Sequence, residues 1–128
     1  MFNVLLVGAG GFLGCALRYA VTRASEAYMP QFPLGTLVVN AVASLIAGAL
    51  LALITAGNLD ERIKLLGSVG FCGGLSTFSA FSAETLVLLQ KHDWAGAGVN
   101  AALNLGISLT CVAAGYYLTT TLLPTATE

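Results

Sequence analysis

The chain has 128 residues, of which 57% are hydrophobic and 9% charged, with six acids against five bases and a mean hydropathy of +0.87. Soluble domains are about a quarter charged, so a water-soluble fold, which could not bury this much apolar surface, is excluded. A formal net charge of -1 leaves no basic surface for a nucleic-acid partner. A bilayer core about 30 Å thick needs roughly 20 apolar residues per helix. Charge-free windows of that kind run over residues 1–17, 34–56, 65–83 and 94–123. They predict an all-α membrane protein, a single transmembrane domain over 1–128 with helices at about 2–24, 34–56, 63–90 and 94–123 crossing a lipid bilayer.

No positive charge precedes the first window, so it is expected to stay as a helix rather than be cleaved as a signal peptide. Its glycine-rich run, Val7 to Gly14, is not a dinucleotide fingerprint. Leu13 stands where a third glycine is needed, and neither a βαβ unit nor an acid about 20 residues later at a strand end accompanies it. Gly10 and Gly14 instead share one helix face and predict close helix packing.

Residues Met29 to Pro33 form a punctuated loop, and Gly35-Thr36 opens the second helix. That helix carries one strongly polar side chain, Asn40, about two turns in. It is read either as an interhelical hydrogen bond holding the bundle together or as a donor lining a pore.

The third window contains Gly70-Phe71-Cys72-Gly73-Gly74-Leu75-Ser76-Thr77-Phe78. Glycine costs about 1 kcal/mol per helical site. Ser and Thr compete for backbone partners. Both point to a helix broken near mid-membrane, between Gly73 and Thr77. Carbonyls freed there must be satisfied by protein or by a cation. A plain kink satisfied by its own hydroxyls is the alternative. Beyond the break, Phe78, Phe81, Ser82 and Thr85 share an arc bordered by Ser79. Such a face is either core packing or, through the positive edges of the rings, the wall of an anion path.

The fourth window carries Asn100, Asn104 and Ser108 at four-residue spacing, a polar stripe that must face protein or water. Trp94, Tyr116 and Tyr117 lie toward its ends, where amphipathic rings suit the headgroup level. His92, between Lys91 and Asp93, is read as solvated. Cys15, Cys72 and Cys111 have neither metal-knuckle nor disulfide spacing and are expected to be small core residues.

No His, Asp or Glu lies at mid-membrane depth, so a catalytic constellation is missing and the chain is not expected to be an enzyme. A small proton-coupled multidrug exporter would need a buried carboxylate. Glu84 lies at the far end of the third window, nearer the interface. A passive path lined by hydroxyls and amides remains, with a purely structural membrane subunit as the alternative.

The runs Gly10 to Tyr19, Gly35 to Asn40 and Gly70 to Glu84 resemble the Fluc (CrcB) family of fluoride channels, most specifically over Gly73-Gly74-Leu75-Ser76-Thr77-Phe78-Ser79-Ala80-Phe81-Ser82-Ala83-Glu84. The resemblance covers all four helices. It implies a fluoride-selective channel that passively exports fluoride across the inner (cytoplasmic) membrane. It also implies an antiparallel dual-topology homodimer with two pores and a structural sodium ion (Na+) on its central axis. By position it makes Gly73 and Ser76 the residues whose carbonyls hold sodium. Asn40, Phe78, Ser79, Phe81 and Ser108 become pore residues and Arg18 and Glu84 vestibule residues, with Ser82 a further pore candidate as an available hydroxyl donor. The chain departs from the family pattern at Ser76, Ala80 and Val112, where Thr is usual, and at Ala43, where glycine is frequent.

Charge patterning bears on orientation independently. With four crossings, Arg62 and Lys64 fall on one side and Arg18, Arg23 and Lys91 on the other, which is hardly a bias. The chain is therefore expected to insert both ways up, which permits an antiparallel dimer. Adding lysines to the loop around Asp60 should force a single orientation and abolish function; undiminished function in that variant would count against dual insertion.

Overall fold

A computed structural model describes residues 1–123, and all of their regular structure is helical. Helix α1 (Phe2–Glu26) leads through a short turn into α2 (Leu34–Thr55). The next helix, α3, runs without interruption through Glu61–Ile63, Lys64–Cys72 and Gly73–Leu75, and two extended residues separate it from α4 (Phe78–Gln90). Helix α5 (Trp94–Leu122) follows. Four segments are long and apolar enough to cross a membrane, with Glu61–Gln90 counting as one. Val4, Leu5, Phe12, Leu109 and Leu118 are exposed. Such side chains are stable only against lipid or another apolar surface, and the chain is a multi-pass membrane protein.

The loop charges end the helices. Asp60 accepts from Arg62 N at 2.7 Å and Asp93 from Gly96 N at 2.8 Å, each satisfying an orphan amide at a helix start. Arg23 pairs with Glu26 at 2.6 Å in the last turn of α1. His92 adopts a left-handed φ of 60° in the tight turn that Asp93 closes.

Packing rests on two close helix pairs, α1 with α3 and α2 with α5. In the first, Gly10 and Gly14 are buried. A Cβ on Gly10 would collide with the Leu66 carbonyl, and one on Gly14 with the Phe71 carbonyl. The approach is mutual, because a Cβ on Gly70 would lie 2.6 Å from Val7 O and one on Gly74 2.5 Å from Gly11 O. The stretch of α3 that meets α1, Lys64–Cys72, is wound as a wide π-helix. Nothing in the residue pattern marks that widening. In the second pair, a Cβ on Gly48 would strike the Val112 carbonyl and one on Gly115 the Leu45 carbonyl. In a bilayer there is no hydrophobic drive between helices, so close backbone contact of this kind, together with interhelical hydrogen bonds, holds them together.

Between the two pairs lies a small core of Val39, Ala43 and Leu75, flanked by Val21 and Phe71. Leu75 is the last helical residue of α3, so this core anchors the chain where the helix ends. Cys72 is buried and Cys111 half-buried, but Cys15 departs from the expected core role: it is exposed, and its sulfur accepts from Arg18 Nη2 at 3.6 Å. A thiol one turn before an arginine on the same helix face can meet its guanidinium as readily as the core.

Gly48→Ala should destabilise the protein by about 1–3 kcal/mol, because the α5 backbone has nowhere to move. Gly98→Ala, where a Cβ meets nothing within 4 Å, should be neutral or slightly stabilising. Thermal unfolding in detergent micelles compares them; equal melting temperatures would mean that α2 and α5 do not approach this closely.

Candidate functional site

The site is built around the interruption in the third crossing. Ser76 (φ -75°, ψ 154°) and Thr77 (φ -154°, ψ 114°) are extended. Thr77 then caps α4, its hydroxyl accepting from Ala80 N at 3.1 Å, the geometry for which Thr is favoured at a helix start. The change of direction redirects two amides. Thr77 N, which a continuous helix would aim at Gly73 O, donates to Asn40 Oδ1 at 2.8 Å. Ala80 N, the helical partner of Ser76 O, goes to the Thr77 hydroxyl instead. Both carbonyls are thereby released from the helical ladder. Ser76 O accepts a long bond of 3.3 Å from Arg18 Nη1.

Asn40, reaching across from α2, clamps the interruption. Besides accepting from Thr77 N, it donates through Nδ2 to Thr77 O at 3.3 Å and to Asn104 Oδ1 at 3.0 Å. Both amide hydrogens are thus committed to protein. Of its two sequence readings, the structure displays the interhelical one, while the side chain still borders a groove.

That groove, of about 260 Å³, is lined by Asn40, Thr77, Phe78, Phe81, Asn104 and Ser108, among others. The two rings are tilted at 55° with centroids 5.3 Å apart. Their environments differ: Phe81 is 8% exposed and Phe78 is 73% exposed, so Phe78 presents a bare ring to whatever faces this side of the chain.

A second groove, of about 560 Å³, opens on the other side of Thr77 and is lined by Cys15, Arg18, Thr36, Ser79 and Glu84 among others. Ser79 therefore lies apart from the phenylalanine pair, its hydroxyl 3.2 Å from that of Thr77. Glu84 accepts from the Thr36 hydroxyl at 2.5 Å through Oε1, while its Oε2 is buried without a protein partner. Among the described residues the ion pairs are Arg23–Glu26 and Lys64–Glu61, so Arg18 and Glu84 share a groove without pairing. Ser82 lines neither groove; it is exposed and its hydroxyl donates to Phe78 O at 2.8 Å within α4.

Among the described residues no group of three or more His, Cys, Asp or Glu could hold a metal ion. Thr77, Ser44 and Thr36 line the grooves without having been singled out for that role from sequence. A Ser-Thr pair after glycines was the available signal for Thr77; for Ser44 and Thr36, single hydroxyls in an apolar helix, there was none.

Residues 5–116 match the family model described as CrcB-like protein, Camphor Resistance (CrcB). The chain belongs to the CrcB family. It is 43% identical over 119 residues to a protein of Shewanella putrefaciens (strain CN-32 / ATCC BAA-453) named "Fluoride-specific ion channel FluC", covering 92% of this chain and 96% of that one. A protein of the same name from Shewanella oneidensis is 40% identical over the same coverage. The CrcB match includes the interruption and both grooves.

Asn40→Leu should cost about 2–3 kcal/mol, since it leaves the Thr77 amide and carbonyl and the Asn104 oxygen without partners. Ser82→Ala, at an exposed site, should change stability by less than about 0.5 kcal/mol. Unfolding in micelles measures both; a stable Asn40→Leu protein would mean the clamp is not formed.

Proposed function

We propose that this chain is a fluoride-selective channel that lets fluoride leave the cell passively across the inner membrane, lowering cellular fluoride. The observation that carries the reading is the groove beside the helix interruption, where Phe78 and Phe81 stand against amide and hydroxyl side chains in a chain whose relatives are named fluoride-specific ion channels. The family is one of channels, not enzymes.

Fluoride holds its water tightly, and a low-dielectric path must replace every lost hydrogen bond. Ser108 and Ser44 in the first groove and Ser79 in the second offer hydroxyls. Ring edges of Phe78 and Phe81 offer partial positive charge while keeping the way narrow for larger anions. The first groove contains no charged side chain, so an anion would bind weakly enough to leave. Arg18 in the second groove supplies attraction where ions enter. Asn40 acts on fluoride through the groove wall it sets; as both its hydrogens are engaged, direct donation would require it to release Thr77 O, the longer of its two bonds.

The working unit in this reading is an antiparallel, dual-topology homodimer. The bare Phe78 ring calls for a facing surface, and the even spread of Lys and Arg allows either orientation. Gly73 and Ser76 are the candidate sodium ligands: both carbonyls have lost their helical amides and a hard cation prefers such oxygens, but Ser76 O would have to give up its 3.3 Å bond from Arg18 Nη1 to take the ion. Held by them, sodium would supply fixed positive charge at the interruption.

Fluoride release from liposomes tests the proposal and separates a channel from an exporter or a structural subunit. The parent protein should release fluoride without a proton gradient, and Phe81→Ile, similar in bulk but without the ring quadrupole, should reduce the flux at least about tenfold while the dimer persists. Replacing sodium by a bulky organic cation should abolish flux or dissociate the dimer. No release from the parent would sink the reading, and full flux without sodium would remove the ion from it.

A further inference from the structure

Five hydrogen bonds run head to tail through the middle of the protein. Thr77 N donates to Asn40 Oδ1 at 2.8 Å, Asn40 Nδ2 to Asn104 Oδ1 at 3.0 Å, and Asn104 Nδ2 to Asn100 Oδ1 at 2.9 Å. Asn100 Nδ2 then donates to Thr85 Oγ1 at 2.9 Å, and Thr85 Oγ1 to Phe81 O at 2.7 Å. The line leaves the third crossing at the residue before Phe78, passes through α2 and α5, and returns at the carbonyl of Phe81. It brackets the backbone segment that carries both rings.

Three properties make this more than a set of separate contacts. Every link points the same way, so each amide polarises the next. The amide members are deeply placed, with Asn100 0% and Asn104 4% exposed, where an unmade bond is costly. The orientations are also interlocked. Asn104 Nδ2 bonds both Asn100 Oδ1 and Asn100 O, and Asn40 has both hydrogens engaged, so turning over one amide would set like atoms against each other on both sides. No member is ionisable, so the line carries no net charge near the groove.

We propose that Asn100, Asn104 and Thr85 are positioning residues that set the spacing of Phe78 and Phe81, and through it the discrimination between fluoride and larger halides. Asn100 and Thr85 do not line the phenylalanine groove, and they act through Asn104, Asn40 and the Phe81 carbonyl. The inference rests on the channel reading for its consequence, but not for the existence of the line.

The test uses the full chain with Asn104→Leu, Thr85→Val and Thr85→Ser. Fluoride and chloride release from liposomes are measured alongside the NMR signals of the Asn40 side-chain amide. Asn104→Leu and Thr85→Val should each lower the fluoride-to-chloride flux ratio about tenfold, the equivalent of one unsatisfied buried group. Thr85→Ser, which keeps the hydroxyl, should restore the ratio. Thr85→Val should also shift the Asn40 amide signals, although Asn104 and Asn100 stand between the two residues. Thr85 is half-buried and valine has its shape, so this variant carries the test if Asn104→Leu does not fold. A folded Thr85→Val protein with the parent flux ratio would overturn the proposal, as would one with unmoved Asn40 signals. A parent that conducts no fluoride would overturn the channel reading together with the selectivity role, while the amide signals would still decide whether the line exists.

Discussion

A backbone interrupted inside a bilayer has no water to turn to, and each unmet amide or carbonyl there costs several kcal/mol. The third crossing of this protein is interrupted at Ser76 and Thr77, and much of the surrounding structure serves to meet that cost. Asn40 supplies a donor and an acceptor to Thr77, the Thr77 hydroxyl takes the Ala80 amide, and Arg18 reaches Ser76 O. Apolar packing fixes the same point from behind, since Leu75 sits in the small core with Val39 and Ala43.

Close packing makes these bonds reachable. An asparagine side chain spans only a few ångströms, so α2 must lie near the interruption for Asn40 to clamp it. The glycine contacts of α1 with α3 and of α2 with α5 bring backbones within touching distance, and the polar line from Asn40 to Thr85 closes between the helices so placed. Small residues and buried amides are therefore parts of one device: the first sets the distance, and the second uses it.

The grooves on either side of Thr77 differ in charge. The one holding Phe78 and Phe81 is neutral, built from rings, amides and hydroxyls; the other holds Arg18 and Glu84. In the channel proposed above, the neutral groove would let an anion bind weakly enough to leave.

Residue types and spacing alone determined the four crossings, the small-residue face at Gly10 and Gly14 and the polar stripe of α5. These follow from length, hydropathy and helical period, properties of a segment that hold whatever it packs against. Tertiary structure decided the pairings. That Asn40 turns its amide toward Thr77 and Asn104 depends on how α2 is rotated against two other segments, and no periodicity encodes that. Ser79 and Ser82 illustrate the limit: both lie on or beside the arc of Phe78 and Phe81, yet one faces the Arg18 groove and the other bonds its own helix. A helical period tells which residues share a face, while the neighbour across that face, and so the chemistry of the site, is chosen only when the helices meet.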